Sequence, residues 1–259
     1  LVLDFSGPDR LLLLARQNGM PLTRPCPMHS LDFANYLTSR GIEQFSPQFN
    51  RLFSNTWRRV LAWAEASHLP LLIYVVDEPR ERDVLPWNRN LADTMAYLDI
   101  FEKIEKARTF ATVESDRNAG VDYTPLARRL DVVCTHAWPH SRNLRSAARE
   151  LWLYNIGIDR FTWGFYLWKS GARGRSEWAY AWFNLPYNPL DSGNATVTYP
   201  SPDGLLSTIQ QKWMREGIDD YRYIFTLQAR IAAARAAGRN AQAAQALLDE
   251  IRREIPEDL

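Results

Sequence analysis

Five times between residues 50 and 182 a stretch with helical spacing is followed by a short apolar run, and this alternation limits the possible fold more than any other feature. Asn55 to Ser67 carries Trp57, Val60, Leu61 and Ala64 on one helical face, and His68-Leu69-Pro70 ends it before the run Leu71 to Val76. Leu91 to Lys106, with Met95, Leu98, Phe101 and Ile104 as its stripe, precedes Thr109 to Val113. Thr124-Pro125 opens a short helix with proline in its first turn, ahead of Leu130 to Thr135. Ser141 to Glu150 leads into Leu151 to Tyr154, and Asp159 to Trp168 precedes Ala179 to Trp182, read as a last inward strand.

Repeated helix–strand units build a parallel sheet with helices outside it, as a barrel or a doubly wound sheet. No Gly-x-Gly-x-x-Gly or Walker-type loop follows any of these strands, which removes the usual reason for a nucleotide-binding sheet. The expected fold is therefore α/β, a (β/α)8 TIM-type barrel, and 259 residues suit that architecture as a single domain. Leu1 to Phe5 reads as an early strand, Asp9 to Asn18 as a helix and Gly19 to Pro47 as a long loop. One early strand and five later ones make six, so either further strands lie in that loop or the barrel is incomplete on its N-terminal side. Ser207 to Ala237 and Asn240 to Glu254 read as a C-terminal helical hairpin joined by Gly238-Arg239. Its arginines are offset by Asp249, Glu250, Glu254, Glu257 and Asp258, which suits a solvated surface better than a nucleic-acid arm. Residues 1–237 are expected to form the barrel domain, with residues 238–259 as a terminal helix packed on or near it.

The chemistry is expected at the strand exits, because barrel enzymes carry their reacting groups at the C-terminal ends of the strands. Leu71 to Val76 has the length and β-branched content of a strand buried on both faces, and it ends abruptly in Asp77-Glu78-Pro79. Two adjacent acids there each need solvent or a partner, and Pro79 stops further ladder pairing. Adjacent strand residues point to opposite faces, so Asp77 and Glu78 share a site only if the strand has already ended there. Glu114, His136 and Trp138, Tyr154 and Asn155, and Trp178 and Tyr180 fall at or just beyond later strand ends.

Ten Trp and eleven Tyr, crowded between Trp138 and Tyr223, fit either a large core or a sugar-binding cleft, where indole and phenol faces pack on pyranose rings. A net charge of +1 implies neither nucleic acid nor an anionic membrane as partner. No apolar stretch is long enough for a membrane span, and Leu1 begins without a charged leader region. A start at Leu rather than Met suggests a mature product or a piece of a longer chain. Cys26 and Cys134, far apart, make neither a disulfide framework nor a metal-ligand cluster. His136 and His140 flank a rigid Trp138-Pro139 turn, so no metal is expected, and the absence of a Gly-x-Ser-x-Gly elbow argues against a Ser–His–Asp hydrolase.

Several segments resemble the catalytic domain of glycoside hydrolase family 123 and its uncharacterised relatives. They are Tyr74-Val75-Val76-Asp77-Glu78-Pro79, Leu151-Trp152-Leu153-Tyr154-Asn155, Gly164-Phe165-Tyr166-Leu167-Trp168, Tyr199-Pro200-Ser201-Pro202-Asp203-Gly204, and Arg215-Glu216-Gly217-Ile218-Asp219-Asp220-Tyr221-Arg222-Tyr223. The likeness spans roughly residues 55–230. It implies a (β/α)8-type barrel, often preceded by a β-sandwich, and retaining hydrolysis of a β-linked N-acetylhexosamine, typically N-acetylgalactosamine. In that scheme the substrate's acetamido oxygen attacks the anomeric carbon, an exception to the two-carboxylate mechanism. Glu78 would be the general acid and then the base, and Asp77 would hold the acetamido N–H and stabilise the cationic intermediate. Glu114, His136, Trp138, Tyr154, Asn155, Trp168, Trp178 and Tyr180 would line the carbohydrate site, with no cofactor. The likeness also implies a secreted or periplasmic location. The Arg215 to Tyr223 segment reads as structural, with Asp219 and Asp220 capping or pairing. Two alternatives stay open: a barrel that binds carbohydrate without cleaving it, and a retaining glycosidase with a second carboxylate such as Glu114 as nucleophile.

Overall fold

The computed structural model describes residues 2–20, 22, 25–80, 90–113, 121–136, 142–177, 181–182 and 195–257. Among these, six strands form one sheet in chain order: β1 (Cys26–His29), β2 (Leu71–Val76), β3 (Thr109–Val113), β4 (Val132–Thr135), β5 (Leu151–Tyr154) and β6 (Gly174–Ser176). The pairs β1–β2, β2–β3 and β5–β6 are parallel. The helices between them are α2 (Leu31–Ser39), α3 (Pro47–Ala66), α4 (Leu91–Phe101), α5 (Thr124–Arg129), α6 (Arg142–Ala147), α7 (Arg160–Trp163) and α8 (Phe165–Ser170), with α1 (Ser6–Gln17) ahead of β1. The expected α/β class and parallel sheet are therefore present, and β1 and β6 are the outermost strands among the described residues.

Three elements differ from the sequence reading. The early strand is Cys26–His29, inside the expected loop, while residues 2–5 carry no strand. All four residues of β1 are exposed, and Pro27 sits where an edge strand tolerates a missing N–H donor. Such a strand has no apolar pattern of its own and exists because the buried β2 offers it a ladder. The same segment also holds α2. Asp159 to Trp168 is two helices rather than one, divided at Gly164. The sixth strand is Gly174–Ser176, and Ala181–Trp182 (β7) instead pairs antiparallel with Ala195–Thr196 (β8).

The chain divides into two compact units. The first comprises residues 1–133 and 147–149, and its core is an aromatic ladder. Ser46 caps α3 by accepting from the Phe49 N–H, with Pro47 at the first turn. The helix then buries Phe49, Phe53, Trp57, Val60 and Ala64 on one face. Phe53 lies 5.5 Å from both Tyr97 and Phe101 of α4, and Trp57 meets Phe101 edge-on at 5.8 Å. Leu98, Phe101 and Ile104 are buried as their spacing predicts. Strands β2 and β3 are almost wholly buried, as expected for a parallel strand covered on both faces.

The second unit comprises residues 134–146 and 150–259. The hairpin of β9 (Thr198–Ser201) and β10 (Gly204–Ser207) leads into α9 (Ile209–Ala236), followed by α10 (Gln242–Glu254). Trp168, Ile224, Ile231, Leu248 and Ile255 form one apolar cluster, which ties α8, α9 and α10 together. In the Arg215 to Tyr223 segment both aspartates pair, as expected. Asp220 takes both ends of the Arg160 guanidinium fork, at 2.6 and 2.8 Å, and Asp219 pairs with Arg222. Gly217 explains why α7 and α9 approach so closely: a Cβ there would lie 2.5 Å from the Arg160 carbonyl oxygen and 2.7 Å from Trp163 Cβ. No helix of the described residues is long and apolar enough to cross a membrane.

Candidate active site

In the first unit, the exits of β1, β2 and β3 bring His29, Tyr74, Asp77, Glu78 and Thr112 together. Tyr74 pairs with Phe110 and Val76 with Ala111, so Val75 is an extra residue and β2 is bulged just before its end. A bulge bends the strand and re-aims the residues beside it. Asp77 Oδ1 lies 2.7 Å from both Tyr74 Oη and Thr112 Oγ1, and those two oxygens are 2.6 Å apart. Two hydroxyl protons serve three short edges, so at least one always points at the carboxylate. Thr112 also accepts the Glu78 N–H at 3.1 Å through Oγ1, and its carbonyl oxygen takes the same N–H at 3.2 Å. Among the described residues Asp77 Oδ2 has no hydrogen-bond partner.

Glu78 adopts φ +43°, a left-handed conformation that costs a side-chain-bearing residue free energy of about 1–3 kcal/mol. The strand has ended at this point, which is the condition for adjacent acids to serve one site. Tyr123 fixes the following turn by donating to the Pro79 carbonyl at 2.6 Å. His29, at the exit of β1, packs its ring 4.2 Å from that of Tyr74. His29, Tyr74 and Thr112 were not among the residues expected from sequence. Tyr74 and Thr112 lie inside apolar strands, and only the pairing of β2 with β3 puts their hydroxyls beside Asp77.

In the second unit, the exits of β4, β5 and β6 carry a different group. His136, following β4, meets Tyr154 edge-on at 4.1 Å. Asn155 follows β5 at φ +52°, again left-handed without being glycine. Within β6, Arg175 Nη2 bonds to Oε1 of Glu177, the residue just past the strand, at 2.5 Å and to the Gly157 carbonyl. The guanidinium lies 4.3 Å over the Trp163 ring, a cation–π contact. The Arg175 side chain is 1% exposed and that of Glu177 11%. Burial pushes the Glu177 carboxyl above its ordinary range, against the pull of Arg175 and His136, and it depresses the Arg175 guanidinium. Burial likewise holds the Cys134 thiol protonated.

Of the sequence-expected site residues, the structure places Asp77 and Glu78 together in the first unit, and His136, Tyr154 and Asn155 at neighbouring strand exits in the second. Trp168 is not brought to either group. It is 6% exposed inside the α8–α9–α10 cluster, where Nε1 donates to Gln228 and its ring lies under Arg252. Glu114, Trp138, Trp178 and Tyr180 lie outside the described residues. Arg175 and Glu177 were missed because β6 is three residues long, lacks an apolar run and gives no sign of a strand exit. No model of a known protein family matches the chain, and no curated protein matches it.

Proposed function

We propose that the chain is a retaining, substrate-assisted glycoside hydrolase that cleaves a β-linked N-acetylhexosamine, N-acetylgalactosamine-like, from a glycan, in the manner of glycoside hydrolase family 123. The observation that carries this reading is the treatment of Asp77. One of its oxygens is held by hydroxyl groups of Tyr74 and Thr112, which orient it without neutralising it, and the other is left for a ligand. A carboxylate so held suits the acetamido N–H of the substrate and the positive charge that develops as the acetamido oxygen closes on the anomeric carbon.

Glu78 then donates its proton to the departing oxygen. In the second half of the cycle it takes a proton from the water that opens the cyclic intermediate. Its left-handed backbone, fixed by Thr112 and by the Tyr123–Pro79 bond, sets the direction in which that carboxyl projects. The reaction needs neither metal nor organic cofactor. In this reading the six-stranded sheet belongs to a (β/α)8-type barrel, and His136, Tyr154 and Asn155 contribute to carbohydrate binding.

The test is release of phenol from unactivated phenyl β-N-acetylhexosaminides, whose departing oxygen needs a proton. Glu78→Gln should lower kcat by about a hundredfold to ten-thousandfold, the usual contribution of a general acid. Hydrolysis by Glu78→Gln at the rate of the unaltered protein would remove Glu78 from the mechanism. Failure of the unaltered protein to cleave any aryl glycoside in a broad panel would remove the hydrolase reading altogether.

A further inference from the structure

The Arg175–Glu177 pair is costly as a purely structural feature. Arg175 is almost wholly buried, yet its Nε and Nη1 have no hydrogen-bond partner among the described residues. Buried donors left unpaired call for an explanation, since an apolar pair of similar volume is often at least as stable as a buried ion pair. The setting is also rigid. Trp163 supports the guanidinium from beneath, and the Gly157 carbonyl takes one of its protons. Gly174 lets β6 lie against the Trp152 ring, where a Cβ would come within 2.5 Å of the indole. Trp152 is in turn held through Nε1 by Glu150, at 2.7 Å.

What this framework presents is one edge of a carboxylate. Glu177 Oε1 is taken by Arg175, while Oε2 has no hydrogen-bond partner among the described residues, and the side chain keeps 11% of its surface exposed. We propose that Glu177, clamped by Arg175 at the exit of β6, accepts a hydrogen bond from a sugar hydroxyl and forms a subsite for neutral glycosides. The proposal rests on the reading of the ligand as a glycan. The charges decide the class of sugar. Arg175 is matched by Glu177, and Asp159 is a further nearby carboxylate set against His136 as a further nearby base, so the cluster offers no net positive charge to a uronate or a sulfated sugar. A hydroxyl group, which can donate to Oε2, fits without any uncompensated charge.

The experiment measures binding rather than turnover, by calorimetry with methyl β-N-acetylgalactosaminide, methyl β-galactoside and methyl β-galacturonoside. The unaltered protein should bind a neutral glycoside and bind the galacturonoside more weakly. Glu177→Gln keeps the side-chain shape and an oxygen facing Arg175. It should weaken neutral binding by about tenfold, the worth of one hydrogen bond to a charged group, and should narrow the gap to the galacturonoside. Arg175→Lys, which keeps the charge but loses the planar fork, should weaken neutral binding as well, and it decides the matter if Glu177→Gln does not fold. Unchanged neutral binding in a folded Glu177→Gln protein, tighter binding of the galacturonoside by the unaltered protein, or no binding of either neutral glycoside would each overturn the inference. Glu78→Gln separates the two readings: loss of hydrolysis with binding retained supports the catalytic assignment and leaves the Glu177 result to be judged by itself.

Discussion

Two carboxylates stand at strand exits in this protein and are held in opposite ways. Asp77, after β2, is oriented by the neutral hydroxyls of Tyr74 and Thr112 and pairs with no cation among the described residues. Glu177, after β6, is largely buried and is clamped by a guanidinium that itself lies over an indole. The first arrangement leaves a negative charge available to stabilise positive charge elsewhere. The second cancels charge locally and leaves only a directional acceptor. Hydroxyl donors and charged donors both fix geometry, but only the former leave the electrostatics intact.

Breaking each clamp should therefore fail differently. Arg175→Ala strands the Glu177 charge in a poorly solvated place and should cost about 3–5 kcal/mol of folding stability, read from urea denaturation. The paired change Arg175→Met with Glu177→Leu should restore that stability and still abolish neutral-glycoside binding. A double variant that binds as before would mean the pair is only a strut. At the other exit, Thr112→Val removes a hydroxyl that holds Asp77. It should lower kcat by about tenfold to a hundredfold, the kinetic equivalent of one charged hydrogen bond, with the fold retained. If Thr112→Val unfolds the protein while leaving the rate of the surviving fraction unchanged, the contrast between the two exits collapses. Gly217→Ala tests neither clamp but the seam of α7 and α9 in the second unit. Forcing a methyl group against the Arg160 carbonyl should cost about 1–3 kcal/mol, seen as an earlier urea midpoint without loss of ligand binding in the folded protein.

The long elements were readable because their residues carry the instruction locally. Leu71 to Val76 is continuously apolar, and α3 and α4 repeat apolar residues at helical spacing, so burial on both faces or on one face follows from composition and period. The acids at the end of β2 were readable for the same reason, since a buried strand that stops at two charges announces its exit. Strands β1 and β6 were not readable. Cys26–His29 is wholly exposed and contains proline, and Gly174–Ser176 is too short to show alternation. Trp168 illustrates the converse: an aromatic residue within a motif looked like a binding surface, and the packing of α8 on α9 and α10 made it core.

The sequence by itself determined the α/β class, the parallel sheet, the C-terminal helices and the position of the Asp77-Glu78 pair, because each depends on contiguous residues and their periodicity. Only the tertiary structure decided which strands join at the edges, that Tyr74 and Thr112 meet on one oxygen of Asp77, and that Arg175 and Glu177 pair over Trp163. Those outcomes depend on ladder register and on contacts that local periodicity does not encode. A bulge at Val75 or a glycine at position 174 decides which side chains meet, and neither is visible as a local pattern.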